Sequence, residues 1–124
     1  AGSNLYPQEK IYDILTLEAL ADGIMESAVS ITYESKLRPD NEQSPSWMEA
    51  QWSKVLHAVK ALDEGEFKAM DGDMNMGQIA VACALGYLDF RHDARQWRNG
   101  YSNLASWNDK MMKLPALIKT IPTD

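Results

Sequence analysis

Ten residues near the middle of the chain, Ile79-Ala80-Val81-Ala82-Cys83-Ala84-Leu85-Gly86-Tyr87-Leu88, carry no charge on any side of a helix. A helix that is apolar all round has no face to offer water, so it belongs in the interior of a domain with other elements around it. A bilayer is the other apolar solvent, but crossing one takes about 20 such residues, and this run is too short. The run therefore predicts a buried central helix near residues 75–89. Its start is marked by Asn75 as N-cap and Gln78 three residues on, an Asn-x-x-Gln capping box in which the glutamine reaches back to the cap. Met74 before the cap and Ile79 after the first turn have the spacing of a hydrophobic staple. On this reading Ile79, Val81, Cys83, Ala84 and Leu88 are nearly inaccessible, and Asn75 and Gln78 have a structural role.

The segments around this run supply the covering. From residue 8 to 37, Ile14, Leu17, Ala21, Ile24, Ala28 and Ile31 recur at spacings of three and four, one face of a long helix. Pro39 ends it, because the residue before a proline avoids the helical region. Ser44 is placed to cap a second helix, with Pro45 at its first position, and Ser46 with Glu49 offers a competing box. That helix carries Trp47 or Met48, then Trp52, Val55, Leu56, Val59 and Leu62 on its stripe, and Gly65 is a C-terminal stop. A short helix is expected over Asp93 to Asn99. Another runs from Ser102 to Leu114 with Leu104, Trp107, Met111 and Leu114 inward, and Pro115 to Thr120 adds a final turn. No segment shows strand alternation, so the expected fold class is an all-α helical bundle around a buried central helix.

Composition narrows the functions. At 124 residues the chain is one domain, and 45% apolar residues are too many for a disordered segment. The net charge of −6 disfavours nucleic acid and anionic membrane as partners, because both bind through clusters of Lys and Arg. A single cysteine, Cys83, excludes an intrachain disulfide and suits a reducing compartment, so a cytoplasmic location is expected.

Chemistry-bearing residues are sparse. His57 and His92 are too isolated for a metal site, and His92 reads as a loop histidine near a helix start. Cys83 reads as an inert core thiol. Asp71-Gly72-Asp73 lacks the further ligands and closing glutamate of a calcium loop and reads as a turn. Arg91, Arg95 and Arg98 would share one helical face, with ion pairing to Asp89, Asp93 and Asp109 as the plainer reading. No catalytic residue and no metal ligand is assigned.

The order of segments resembles a known family. Met76-Gly77-Gln78-Ile79-Ala80-Val81-Ala82-Cys83-Ala84-Leu85-Gly86-Tyr87-Leu88-Asp89-Phe90-Arg91 is similar to the buried helix in the C-terminal domain of cytosolic glutathione transferases. Trp97-Arg98, Tyr101-Ser102-Asn103-Leu104-Ala105-Ser106-Trp107 and Met111-Met112-Lys113-Leu114-Pro115 continue the likeness, with Ser102 in place of the family's usual Pro. Leu5-Tyr6-Pro7 and Leu17-Glu18-Ala19-Leu20-Ala21-Asp22-Gly23 resemble the inter-domain linker and first long helix of bacterial members.

The resemblance implies a helical domain over residues 5–124, with residues 1–4 as tag remnant or linker. It implies that glutathione is the co-substrate of a parent protein and is held by a thioredoxin-like N-terminal domain. With the linker-like residues so near its start, this chain is expected to lack that domain and to be inactive alone. Its own share would be part of the wall of the hydrophobic co-substrate pocket, for which Tyr12, Thr16, Ala19 and Met25 are the candidates, and part of a homodimer interface. No cofactor is expected in the chain itself. The alternative is a non-enzymatic assembly module of the same fold.

Overall fold

The computed structural model describes residues 4–118. Residues 1–3 of the expected tag or linker and residues 119–124 of the expected domain lie outside them. The described residues form five α-helices, α1 (Ile11–Leu37), α2 (Pro45–Asp63), α3 (Met76–Arg91), α4 (Ser102–Met111) and α5 (Pro115–Ile118), with single 3-10 turns between them and no strand. The all-α expectation holds, and the long helices begin and end within a few residues of their predicted bounds.

α1 packs chiefly on α3 and then on α2, and α4 rests against both α2 and α3. The six apolar residues read from its period, Ile14 through Ile31, are all buried. They meet Trp52, Val55, Val59 and Leu62 of α2 and Val81, Ala84, Leu85 and Leu88 of α3 in one core. A second small cluster, Ala82, Met111 and Leu117, fills the space between α3, α4 and α5, with Met74 and Ile79 packed against it.

The helix ends show why the chain breaks where it does. Ser44 Oγ accepts from Trp47 N–H at 3.3 Å, and Pro45 is the first residue of α2, so the earlier of the two competing caps is used. Gly65 ends α2 at φ +78°: its N–H reaches Leu62 O, and that of Glu66 reaches Ala61 O, the paired bonds of a Schellman motif. Asp63 at the end of α2 accepts from Leu104 N–H at 2.9 Å, so one helix caps the first turn of another.

Asn75 caps α3 through Gln78 N–H at 3.0 Å. Gln78 does not reach back to the cap as expected. Its Nε2 lies 3.0 Å from Ala69 O and 3.3 Å from the carbonyls of Met70 and Asp73, inside the turn that precedes the helix. Asn75 Nδ2 donates to the same Ala69 carbonyl at 2.8 Å. Both amides are almost fully buried, so the pair folds the Asp71-Gly72-Asp73 turn around itself.

Further expectations fail. Cys83 is exposed and Ile79 only half-buried, because α3 packs chiefly on α1, with α4 on another side, and the stripe Ile79, Cys83, Gly86 and Phe90 stays partly open. Leu114 is 38% exposed, past the end of α4. The helix expected over Asp93 to Asn99 is a single 3-10 turn, Asp93–Arg95, stopped by Gln96 in the left-handed region at φ 50°. Arg91, Arg95 and Arg98 therefore share no helical face. Arg98 grips Asp89 at 2.9 Å and Asp109 at 3.0 Å, while Arg95 pairs with Glu49 at 2.8 Å rather than with Asp93.

Two substitutions test these packing assignments. Asn75→Ala removes a cap and leaves a carbonyl contact unmade in the interior, so it should cost about 2 kcal/mol and lower the melting temperature by several degrees. An unchanged midpoint would show that the amide is not the cap in solution. Asn108 on α4 is fully buried, and neither of its amide atoms has a hydrogen-bond partner among the described residues. Asn108→Leu should therefore stabilise the chain by about 1–3 kcal/mol in chemical denaturation. A loss of stability would mean that the amide is bonded in solution after all.

Candidate functional site: the outer face of α1

α1 has two unlike faces. Opposite its core stripe, Tyr12 is 84% exposed and Leu15 47% exposed, and Thr16, Ala19, Asp22, Gly23 and Glu26 are all exposed. Tyr33 and Leu37 extend the same face toward the C-terminal end of the helix, at 60% and 73% exposure. The helical period that buries Ile14, Leu17 and Ala21 places Tyr12, Thr16, Ala19 and Gly23 in one line on the other side. Of the four sequence candidates, Tyr12, Thr16 and Ala19 fall together on this open line. Met25 does not join them: it is half-buried against the core cluster.

The hydroxyls on this side of α1 are turned inward to the backbone. Thr16 Oγ1 donates to Tyr12 O and Ser30 Oγ to Glu26 O, each at 2.8 Å. Such back-bonding satisfies the hydroxyl locally. The face therefore combines apolar and small side chains with two carboxylates, Asp22 and Glu26, and carries no cation between Tyr12 and Glu26.

The residues before α1 are tied to the start of α3. Leu5 O accepts from Met76 N–H at 3.0 Å, so the linker-like segment satisfies one of the free donors at the N-terminus of α3. The Tyr6 hydroxyl donates to Glu18 on α1. That bond, aided by burial and by the glutamate's charge, raises the phenol pKa above its ordinary value. A groove of about 440 Å³ opens beside this junction, lined by Asn4, Pro7, Glu9, Lys10, Asp73, Met74 and Asn75. A second, of about 290 Å³, runs between Asp13 and Thr16 of α1 and Glu66, Phe67 and Lys68. A further cavity, of about 500 Å³, lies elsewhere, between the Gly86–Phe90 turn of α3, Arg98 and α4, and no described residue of α1 lines it.

A helical glycine also lies on this face. Gly23 sits inside α1, where glycine is unfavourable, yet a Cβ built on it would meet nothing within 4 Å. Gly77 of α3 is the contrast, since a Cβ there would lie 2.9 Å from Leu17 Cδ2 and 3.0 Å from Leu17 Cβ. Packing within the chain explains Gly77 and does not explain Gly23. Sequence reasoning missed the Leu5–Met76 pairing, the Asp63 cap and the buried position of His92, none of which has a local sequence signal.

Among the described residues no group of three His, Cys, Asp or Glu side chains is arranged to hold a metal, and no helix is long and apolar enough to cross a membrane. Gly23→Ala should raise the stability of the chain by about 0.5–1 kcal/mol, measured by thermal unfolding. Destabilisation would show that some part of the chain does approach this position.

Comparison with known proteins adds independent findings. The family described as Glutathione S-transferase, C-terminal domain, matches residues 45–109. The uncharacterized GST-like protein YibF of Escherichia coli K12 is 32% identical over 110 residues, which cover 86% of this chain and 53% of that protein. A glutathione transferase family member from Pseudomonas fluorescens Pf-5, solved with S-(propanoic acid)-glutathione bound, is 35% identical with a TM-score of 0.93, covering 100% of this chain and 65% of that one. A glutathione S-transferase from Methylobacillus flagellatus KT, solved with glutathione bound, is 32% identical with a TM-score of 0.88, covering 98% and 62%. The chain thus spans between half and two-thirds of the length of these relatives.

Proposed function

Because the chain belongs to the glutathione S-transferase family, through the C-terminal domain, we propose that it is the helical half of a glutathione-dependent transferase and forms the co-substrate side of the active site. The observation that carries this reading is the outer face of α1, where Tyr12, Thr16, Ala19 and Gly23 lie exposed in one line beside the tethered residues Leu5 to Pro7. In the parent protein a thioredoxin-like N-terminal domain packs against this end of the bundle. Tyr12, Thr16 and Ala19 then line the wall met by an apolar electrophile. Met25 supports the wall from its half-buried position rather than lining it. The glutathione thiolate forms a C–S bond to the electrophilic carbon; in a substitution the bond to the leaving group breaks and that group departs with its electron pair, and in an addition the π bond opens and its electron pair takes a proton from water.

The division of labour follows from charge. Glutathione carries two carboxylates at neutral pH and needs cations or backbone donors to hold them. The Tyr12–Glu26 face offers neither, and its own carboxylates repel anions. Recognition of the tripeptide and lowering of the thiol pKa are therefore tasks of the other domain. The exposed aromatic and aliphatic side chains farther along α1, Tyr33 and Leu37, extend the face toward a second copy of the protein. Exposed apolar patches of this kind drive association.

The purified chain should conjugate glutathione to 1-chloro-2,4-dinitrobenzene no faster than the uncatalysed reaction, calorimetry should detect no glutathione binding, and light scattering should show concentration-dependent self-association. Turnover above background that is lost on mutating a residue of this chain would overturn the reading. A strictly monomeric chain would remove the assigned contact face and leave the family assignment intact.

A further inference from the structure

His92 closes the end of the bundle opposite the Asn75 cap. It is the C-cap of α3, its N–H bonded to Leu88 O at 2.9 Å, and its side chain is only 7% exposed. Nε2 lies 2.9 Å from Ala28 O and 3.1 Å from Thr32 Oγ1, both on α1. The Trp52 ring of α2 stands 5.9 Å away and the Tyr87 ring of α3 6.0 Å away. One side chain thus ties three helices, and the Thr32 hydroxyl extends the polar contact to the Tyr87 hydroxyl at 2.8 Å.

The protonation state of the ring follows from its partners. A carbonyl oxygen only accepts, so Nε2 carries the proton and Nδ1 is the bare nitrogen of a neutral ring. No described group bonds Nδ1. A second proton there would put a charge on a ring that is only 7% exposed, with Nδ1 at its open edge, and apart from the exposed Asp93 the acidic groups on the surrounding elements are committed elsewhere. On α1, Glu34 is committed to the Ser44 amide and to Arg38. On α2, Glu49 is held by Arg95. On α3, Tyr87 is bound to Thr32, Asp89 to Arg98 and Trp97, and Arg91 lies over the Phe90 ring. On the following turn, Asp93 adjoins His92 in sequence, and Arg95, over the Trp52 ring, adds a like charge. Burial, with a smaller push from Arg95, sets the His92 pKa below its ordinary 6.5, against the opposing effect of the Ala28 carbonyl.

We propose that His92 is an acid-sensitive latch at the joint of α1, α2 and α3: on protonation the imidazolium leaves its slot for water, frees Ala28 and Thr32, and loosens the C-terminal turn of α3. The sign follows from linkage. The folded value lies below the unfolded one, so the open state binds more protons, and the stability that the latch contributes above about pH 6.5 is lost as the pH falls toward the folded value. One linked proton raises the opening constant by up to about tenfold per pH unit inside that window.

The test follows the His92 ring by NMR from about pH 8 to about pH 5, in the folded chain and in the urea-unfolded chain, together with exchange of the His92 amide corrected for its intrinsic pH dependence. His92 should titrate lower in the folded chain, with protection falling by up to about tenfold per unit. His92→Gln keeps a donor for Ala28 O without a titrating group and should flatten the loss of protection. If that variant fails to fold, Arg95→Gln should move the His92 titration up toward the unfolded value. A folded titration at or above the unfolded one, or an unchanged pH slope in the glutamine variant, would overturn the latch.

Discussion

The amide pair Asn75–Gln78 is the interaction on which the rest of the bundle depends. α3 is the helix against which the others pack, and its position relative to the preceding loop is set where two buried amides take up the donor of Gln78 and the carbonyls of Ala69, Met70 and Asp73. Each of those backbone groups would be costly to bury unbonded. The loop from Ala69 to Asp73 enters the core through Ala69, with Met70 packed against it, and the amides hold its backbone carbonyls there. The same helix start also accepts the incoming chain through Leu5 and Met76. α1 begins a few residues later, and its register on α3 follows from that contact.

From this anchored end, α1 runs between two environments. Its inner side is a continuous apolar stripe with no exposure, and its outer side has small residues, aromatic residues and a glycine that nothing in the chain requires. A helix satisfying only its own fold would carry better helix formers there. The relatives that the chain matches are about half again its length or more, and the function proposed above has their additional part cover the outer side. The cavity of about 500 Å³ between α3 and α4 lies on other elements and is separate from that surface.

The opposite end of α3 is held by charge and polarity rather than by a cap of the usual kind. Asp89 accepts from Trp97 Nε1 and from Arg98, which also reaches Asp109, and their mutual attraction raises the Arg98 pKa further above its already high value. This cluster fixes the irregular segment between α3 and α4. His92 sits at its entrance with a demand that the ion pairs do not meet, since Nδ1 has no partner among the described residues. The two ends of the central helix therefore differ in kind. The Asn75 end is satisfied at every pH by neutral amides, and the His92 end contains an ionisable group whose pKa burial sets below its ordinary value.

Much of the fold was legible in the sequence because period and capping are local. Ile14 to Ile31, Ser44 with Pro45, Gly65, and Asn75 with Gln78 each act within a few residues of themselves, and each did what its spacing implied, apart from the direction in which Gln78 turned. The family was legible for the same reason, in the order of those local signals. The candidate face was legible only as the complement of a buried stripe, which placed Tyr12, Thr16 and Ala19 in the open and left Met25 half-buried on the flank. The apolar run of α3 determined by itself that the helix is central, since no face of it suits water. Which side would be left open at Cys83, which carbonyls Gln78 would find, that Asp63 would cap α4, and that His92 would be buried between three helices were decided only by the tertiary structure. Those contacts join residues up to 64 positions apart, and no local periodicity encodes a pairing that exists only once the helices have packed.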